Sequence, residues 1–338
     1  MVNSRMLSYK DVVITPAYSK VKSRSSVNIE TKFGPQTFKS PAMPANMICT
    51  IDFKKAKELS ESQYFYILHR FYDYKEIYNW IKKNQNLRTI SISIGVGQKD
   101  KDLIYKIAKN KLRVDYITID VAHGHHILVE EMVRYVKNIL SKPFLIAGNV
   151  GTPEAVVSLK HWGADAVKVG LSMGKSCTTY NCTGVGTPMF TTLDNIKFQM
   201  EQHDKFSKHG STPIPIIADG QIREVGDICK ALAVGASMIM IGSEFAKCKD
   251  SPAKTEKQIK DPYSQTYSYK KEFFGSASEF TKGHNSFVEG QKVMLDMREE
   301  TYLDYLNRIK EGIQSFLSYI GQTDIKNATQ CTYNIICK

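Results

Sequence analysis

Short apolar segments recur along the chain, and most are followed by a stretch with the pattern of an amphipathic helix. The apolar segments are 40–47, 64–70, 89–95, 116–124, 144–150, 166–171, 214–220 and 238–243. The helical patterns are 52–62, 75–84, 99–110, 126–140, 152–163 and 224–234. Several apolar segments lack strict alternation, which is typical of strands covered on both faces. Eight such units predict an α/β fold, the closed (β/α)8 barrel, and the alternative is an open doubly wound sheet.

The predicted helix between the fifth and sixth strands, TPEAVVSLKHWG, carries its own start and stop signals. Thr152 is placed to cap the N-terminus, and Pro153 suits the first helical position. Gly163 follows the last apolar residue and predicts the end of the helix. The chain has 338 residues, 42% of them hydrophobic, which is enough for one large barrel. We therefore predict a single domain over 1–338 with an N-terminal extension.

The composition argues against several other classes of protein. The formal net charge is +12, but lysine and arginine are spread over the chain, which favours attraction of phosphorylated small molecules over nucleic acid. No apolar run approaches the ~18 residues of a membrane span, so we predict a cytoplasmic protein without a membrane partner. The seven cysteines include no C-x-x-C pair, which argues against a disulfide framework and a structural zinc site. We expect Cys49 and Cys229 to be small hydrophobic residues of the core.

Two predicted connections exceed the usual limit of about 12–15 residues. We name them the cysteine loop, residues 171–191, and the flap, residues 244–298. Both follow strands and so lie at the C-terminal mouth of the barrel, where this fold builds its active sites. Cys177 lies in the first of them among hydroxyl residues and glycines. A buried structural cysteine is the alternative, but this polar loop favours a reactive thiolate, so we interpret Cys177 as a nucleophile.

The ends of the seventh and eighth predicted strands carry glycines, in Asp219-Gly220 and Gly242-Ser243. Loops at these two places in such barrels often bind phosphate through backbone N–H groups, and a glycine lets the anion approach closely. The Asp219 carboxylate could accept hydrogen bonds from a ribose. Ordinary tight turns are the alternative. Their coincidence with Cys177 at one mouth favours a nucleotide site.

Several segments, taken in order along the chain, carry a family resemblance. They are SYKDVVITPAYSKVKSRSSV, PANM, YITIDVAHGH, IAGNVGTPE, GADAVKVG, SCTT with TGVGTP, IIADGQIR with GASMIMIGS, FFGSASE and VEGQK. Over nearly the whole chain they resemble the barrel enzymes inosine monophosphate (IMP) dehydrogenase and guanosine monophosphate (GMP) reductase. In that family a cysteine thiolate attacks C2 of the purine ring. The resemblance thus implies that Cys177 is this nucleophile.

Three features are closer to the reductase branch of that family. The regulatory repeats that the dehydrogenase usually carries after the second strand are missing, because Arg70 leads directly into the helix near Lys75. Residues 224–297 contain no arginine, whereas the dehydrogenase activates water with an arginine on its flap. YFYILHR, PANM and FFGSASEF are similar to the reductase. The resemblance implies reduction of GMP to IMP and ammonia with NADPH; a dehydrogenase without regulatory repeats and a catalytically lapsed nucleotide-binding protein are the alternatives.

The resemblance also implies the other residues of the site. It assigns proton transfer to Thr179 and Glu289. It places the substrate GMP or the product IMP against Asp219, Gly220, Gln221, Gly242, Ser243, Ser276, Ala277, Ser278 and Gly290. It places NADPH against Arg70, Asp120, Val121, Ala122, Leu171 and Ser172, with Ser23 and Arg24 reaching the cofactor of a neighbouring subunit. A homotetramer is thereby implied, and a dinucleotide held without a G-x-G-x-x-G motif.

Three positions depart from the family pattern. Residues 172–174, Ser-Met-Gly, stand where relatives have Gly-Pro-Gly, and Tyr180 stands in place of an arginine. Relatives hold a potassium ion at this turn, which implies a K+ site formed by the carbonyls of Ser172, Gly174 and Cys177, although the stiffening proline is gone. Gln221 replaces the second glycine of an Asp-Gly-Gly turn. A side chain there costs energy if φ is positive, or else it crowds the phosphate.

The segment HGHH at 123–126 invites a metal-site interpretation. Consecutive residues on one loop rarely converge on one ion, so we interpret these histidines as lining the cofactor pocket or facing solvent. Asp120 is likewise interpreted as a hydrogen-bonding platform and not as a metal ligand.

Overall fold

The computed structural model describes residues 6–172, 174–206, 213–261, 266–276, 278–282 and 289–336. The strands are β1 Val12–Ile14, β2 Thr31–Phe33, β3 Gln36–Phe38, β4 Ala42–Pro44, β5 Ser91–Ile94, β6 Tyr116–Asp120, β7 Phe144–Val150, β8 Ala166–Val169, β9 Ile216–Asp219, β10 Met238–Ile241, β11 Thr255–Asp261, β12 Thr266–Phe274, β13 Lys292–Asp296 and β14 Tyr333–Ile335. The helices are α1 Phe53–Glu61, α2 Tyr74–Lys83, α3 Gln98–Lys109, α4 Ile127–Ile139, α5 Pro153–Trp162, α6 Thr179–Thr183, α7 Met189–Phe206, α8 Val225–Ala233, α9 Ser243–Ala246, α10 Glu279–Lys282 and α11 Tyr302–Tyr319.

The central sheet has seven parallel strands in the order β4-β10-β9-β8-β7-β6-β5. The first strand of this sheet in the chain, β4, pairs with the last, β10, through Ile239 and Ala42. Pairing of the first strand with the last closes a sheet on itself, and helices follow the strands on the outside. The predicted (β/α)8 barrel is confirmed, and the chain does not form the open doubly wound sheet.

The second predicted strand, 64–70, differs from the other seven because it does not form a regular strand of the central sheet. Its contact with β5 is a single bridge between Leu68 and Ile92. The Leu68 N–H donates to Ser91 O at 3.1 Å, and Ser93 N–H donates to Leu68 O at 3.0 Å. Tyr66 instead donates its side-chain hydroxyl to Thr89 O at 2.8 Å. The segment therefore fills the expected place beside β5 with side-chain packing in place of a full hydrogen-bond ladder.

An aromatic cluster closes the N-terminal end of the barrel. Phe33 and Phe38 come from the β2–β3 hairpin and pack against Phe65, Tyr116 and Phe144, with ring centroids 4.8–6.1 Å apart. The Tyr116 hydroxyl donates to Phe33 O at 2.7 Å. Tyr116 and Phe144 are the first residues of β6 and β7. Because this end is filled, the strand ends at the opposite rim form the open face.

The helix α5 follows its sequence signals. Thr152 Oγ1 accepts a hydrogen bond from the Ala155 N–H at 3.3 Å, and Pro153 is the first helical residue. Gly163 ends the helix in a left-handed conformation with φ of 115°. Both predicted ends of this helix are confirmed. Among the helices in the described ranges, none is both long and apolar enough to cross a membrane.

The two long connections contain regular structure that the sequence did not predict. The cysteine loop contains the short helix α6. The flap contains the helices α9 and α10 and a three-stranded antiparallel sheet, β11-β12-β13. Eleven residues of the flap, 262–265, 277 and 283–288, lie outside the described part of the chain. The described part of the flap is therefore a layer of regular secondary structure above the rim and not an extended loop.

We expect Gly163→Ala to destabilise the protein. The position has φ of +115°, and an added Cβ would meet no atom closer than 3.6 Å, so the cost is backbone strain alone, about 1 kcal/mol. Denaturant unfolding followed by circular dichroism measures the change. Gly226→Ala is the matched control, because a Cβ there meets nothing within 4 Å and its φ is not in the positive range. Equal midpoints for the two variants would contradict the prediction.

Candidate active site

Cys177 lies in a chain of side-chain hydrogen bonds that links the cysteine loop to the flap. The Cys177 Sγ lies 3.3 Å from Thr179 Oγ1. The Thr179 hydroxyl in turn donates to Glu289 Oε2 at 2.6 Å. Cys177, Thr179 and Glu289 are all half-buried. A proton on the sulfur thus has a continuous path through one hydroxyl to a carboxylate.

Backbone contacts hold the flap in this position. Cys177 forms an antiparallel bridge with Gly290, and Thr178 N–H donates to Glu289 O at 2.9 Å. The Gln291 N–H donates to Ser176 O at 2.9 Å, on the other side of the bridge. These main-chain bonds are independent of the side chains that carry the chemistry. They fix Glu289 over the cysteine loop without using its carboxylate.

The burial of Cys177 differs from that of the core cysteines. Cys49 and Cys229 are 1% and 7% exposed, as expected for core residues. Burial raises the pKa of the Cys49 thiol to about 11 and that of Cys229 to about 12. Thiols in such surroundings stay protonated at neutral pH and are poor nucleophiles. The half-buried Cys177, with its hydrogen-bonded partner, is the better placed of these sulfurs for attack.

Several of the residues that the resemblance assigns to the substrate cluster at the ends of β9 and β10. Gly220 has φ of +127° and Gln221 has φ of +59°, so the side chain at 221 sits in a strained backbone region. The Gln221 Oε1 accepts a hydrogen bond from the Met189 N–H at 3.2 Å, which links this turn to the start of α7. Gly242 precedes α9, and an added Cβ there would lie 3.2 Å from the Phe273 ring. The glycine lets the flap approach the turn closely.

The residues that the resemblance assigns to the cofactor include Asp120 at the end of β6, Ser172 after β8 and Arg70 at the end of the segment 64–70. Asp120 ends β6 and is 8% exposed. The Arg70 guanidinium lies 5.0 Å from the Phe71 ring centre, and its buried Nε has no hydrogen-bond partner in the described residues. Ser172 has φ of +65°, and its buried Oγ likewise lacks a partner there. Buried polar atoms without partners mark places where a ligand can complete the hydrogen bonding.

The remaining predicted residues fall into four groups. Ser276 is half-buried and Ser278 is fully buried in the flap, where Ser278 bridges Gly290. Ala277 lies outside the described residues, as does Met173. Val121 and Leu171 are half-buried and Ala122 is exposed, at the ends of β6 and β8. Ser23 and Arg24 are exposed, and Arg24 donates to Ser315 Oγ of α11 at 3.1 Å.

Sequence reasoning missed a lysine inside the barrel. Lys168, in the middle of β8, places Nζ 2.8 Å from Asp120 Oδ1 and 3.1 Å from Asp219 Oδ2. Asn149 donates from Nδ2 to the same Asp219 oxygen at 2.9 Å. The signal that could have identified it is the charge itself, because a lysine within the buried strand AVKV requires a partner.

The segment 123–126 and its surroundings bear on the question of a metal site. Among the described residues, no three His, Cys, Asp or Glu side chains are grouped so that they could hold a metal ion. His125 bonds to Ser158 Oγ at 3.1 Å, and His126 caps α4. The turn that the resemblance implies for a potassium ion contains Ser172. This residue adopts the left-handed conformation although it is not a glycine.

Comparison with known proteins yields matches over nearly the full length of the chain. The model of the family described as the IMP dehydrogenase / GMP reductase domain matches residues 6–336. The GMP reductase of Staphylococcus aureus (strain JH9) is 41% identical over 333 residues, which cover 98% of this chain and 97% of the relative. The GMP reductase of Staphylococcus carnosus (strain TM300) has the same identity and coverage. The matched region includes the cysteine loop and the flap.

We expect the turn that carries Arg70 to make the protein acid-sensitive through His69. Burial lowers the pKa of His69 from 6.5 to about 4, and its Nδ1 accepts a hydrogen bond from the Phe71 N–H. Since the unfolded chain binds this proton more tightly, the contribution of His69 is complete above about pH 6.5 and is lost as pH falls toward 4, by up to about 3 kcal/mol. Denaturant midpoints across this window measure the slope.

His69→Gln should flatten that slope, and His161→Gln, which removes an exposed imidazole, is the control. A slope that is the same in all three proteins would show that His69 is not the group that titrates.

Proposed function

The chain belongs to the IMP dehydrogenase / GMP reductase family, and we propose that it catalyses the NADPH-dependent reduction of GMP to IMP and ammonia. The relatives named GMP reductase align with it over 98% of its length and over 97% of their own. The protein is thus an oxidoreductase of purine nucleotides. The observation that best supports this proposal is the chain of hydrogen bonds from Cys177 through Thr179 to Glu289.

The first half of the proposed reaction forms a covalent intermediate. A proton passes from Cys177 Sγ to Thr179 Oγ1, while the Thr179 proton passes to Glu289, and this leaves a thiolate. The thiolate attacks C2 of the purine ring. The 2-amino group must leave as ammonia, because an amide anion is too basic, and the same relay run in reverse delivers the proton. The product of this half is a thioimidate between Cys177 and the purine.

The second half resolves the thioimidate. NADPH supplies a hydride to C2 when bound. The C2–S bond then breaks, its electron pair returns to Cys177 Sγ, and IMP leaves. Water must be kept from C2 meanwhile, since hydrolysis would give xanthosine monophosphate. The main-chain bonds between Gly290 and Cys177 and between Glu289 and Thr178 keep the flap over the sulfur, which supports exclusion of water.

The cofactor proposal is supported by the partnerless polar atoms at the rim. Arg70 Nε and Ser172 Oγ are both buried near the ends of the barrel strands and lack partners within the described chain. They fit a nicotinamide with its carboxamide, which offers both a donor and an acceptor. NADPH as the hydride donor, potassium at the turn of Ser172 and a homotetramer are parts of this proposal. The exposure of Ser23 and Arg24 is compatible with contact to a neighbouring subunit. Cytoplasmic location stays a prediction.

We expect purified protein to consume NADPH in the presence of GMP and to release one ammonia for each NADPH oxidised. Absorbance at the NADPH band and a coupled ammonia assay measure the two together. Reduction of NAD+ with IMP is the control reaction. If only the control reaction proceeds, the protein is a dehydrogenase and the proposed direction is wrong. Nucleotide binding without either reaction would indicate a lapsed enzyme.

We expect Cys177→Ala to abolish turnover while nucleotide affinity changes little, because the sulfur supplies the covalent bond but little of the binding surface. Cys182→Ala is the matched control, since Cys182 is an exposed cysteine in the same loop. Mass spectrometry of the unaltered protein quenched during turnover should show a nucleotide adduct. Undiminished catalysis by Cys177→Ala would exclude the covalent mechanism.

A further inference from the structure

Lys168 lies inside the barrel, below the rim, and its ammonium group is fully engaged. Its side chain is 3% exposed. The Nζ lies 2.8 Å from Asp120 Oδ1, 3.1 Å from Asp219 Oδ2 and 3.2 Å from Asn46 Oδ1. An ammonium group has three protons, and these three oxygens come from three different barrel elements. The side chain therefore connects the strand ends across the interior.

The two carboxylate oxygens of Asp219 differ in their hydrogen-bond partners. Oδ2 accepts from Lys168 Nζ and also from Asn149 Nδ2, which lies 2.9 Å away. No donor from the described residues reaches Oδ1. The Asp219 side chain is 24% exposed and ends β9 at the open rim. One oxygen is thus bound to the protein, and the other is left for a ligand.

The strands around Lys168 and Asp219 approach each other closely. A Cβ added to Gly148 would lie 2.6 Å from Lys168 Cβ, and one added to Gly170 would overlap the Asp219 carbonyl oxygen. Real Cβ atoms do not approach other atoms so closely, so β7, β8 and β9 meet here through glycines. The Asn149 Nδ2 also donates to Gly170 O at 2.9 Å, which ties the same strands together.

Lys168 and its two carboxylate partners stabilise each other's charged forms. Burial alone would lower the pKa of Lys168, but the carboxylates of Asp120 and Asp219 more than offset it, so the pKa is raised. Burial alone would raise the pKa of Asp120, and Lys168 together with Arg70 brings it below the usual range. Asp120 therefore stays ionised with Lys168 in place. Without its charge, two carboxylates would be left facing an apolar gap.

We propose that Lys168, assisted by Asn149, is a positioning residue that makes the site selective for ribonucleotides over 2′-deoxyribonucleotides. It does so by holding Oδ2 of Asp219, so that Oδ1 meets the ribose hydroxyls of the bound nucleotide. The inference rests on the proposed function, which supplies the nucleotide. It adds that the selectivity depends on a lysine that does not itself touch the substrate.

Calorimetric titration of the full-length protein with GMP and with 2′-deoxy-GMP tests this role without requiring turnover. The unaltered protein should bind GMP about tenfold to hundredfold more tightly, the factor expected for a hydrogen bond to a charged group. Lys168→Met keeps the side-chain length and removes the charge. For this variant we expect the ratio of GMP affinity to 2′-deoxy-GMP affinity to lie within about threefold of unity, because GMP binding weakens and 2′-deoxy-GMP binding does not.

A control variant and a milder variant complete the experiment. Lys137→Met removes a lysine that pairs with Asp165 at 2.5 Å on the outside of the barrel, and its ratio should equal that of the unaltered protein. Asn149→Ala leaves the ion pair intact but removes the second donor to Oδ2, so its ratio should fall by about threefold. This variant carries the test if Lys168→Met does not fold.

The outcomes separate this inference from the proposed function. If the unaltered protein does not bind GMP, the proposed function is wrong and this inference falls with it. If it binds and discriminates, but Lys168→Met weakens both nucleotides equally, Lys168 has only a structural role. An unchanged ratio in Asn149→Ala likewise overturns the assignment of Asn149 and, where Lys168→Met is unfolded, the proposal as a whole.

Discussion

The ion pairs between one buried ammonium group and two carboxylates are the interaction on which the rim of this barrel depends. Parallel strands bring their carboxyl ends to one edge, and with them Asp120 from β6 and Asp219 from β9. Two carboxylates in a largely buried space repel each other unless a cation lies between them. Lys168 occupies that place on β8, the strand that separates β9 from β7 and β6. The ends of β6 and β9 are thereby held in one arrangement by one side chain.

The reactive sulfur depends on a second arrangement, in which backbone pairing does the positioning and side chains are free for chemistry. The bridge between Cys177 and Gly290 brings a residue of the flap to the cysteine loop. Thr179 and Glu289 are 110 positions apart in the chain and yet share a 2.6 Å hydrogen bond. Main-chain bonds of this kind tolerate sequence change at the flanking positions. The side chains of Ser172 and Gln221 take no part in these main-chain bonds.

Some of this structure could be predicted from the sequence, and the rest depends on long-range contacts. The barrel could be predicted because apolar runs and helix signals such as Thr152 and Gly163 are local. The segment at Leu68 could not, because its hydrogen bonds depend on where β5 lies. Resemblance named Thr179 and Glu289, but no spacing rule predicts their contact. Lys168 was overlooked because one charged residue in a buried strand has no periodic pattern, and only its partners explain it.

The aromatic cluster at the N-terminal end of the barrel has a kinetic consequence. With Phe33 and Phe38 packed into that end, the described residues leave the barrel open at the rim covered by the flap. In the proposed reaction, nucleotide, dinucleotide and ammonia all exchange through this rim. Their release would then require the main-chain bonds between the flap and the cysteine loop to open. The rate of that opening sets an upper bound on turnover, however fast the chemical steps become.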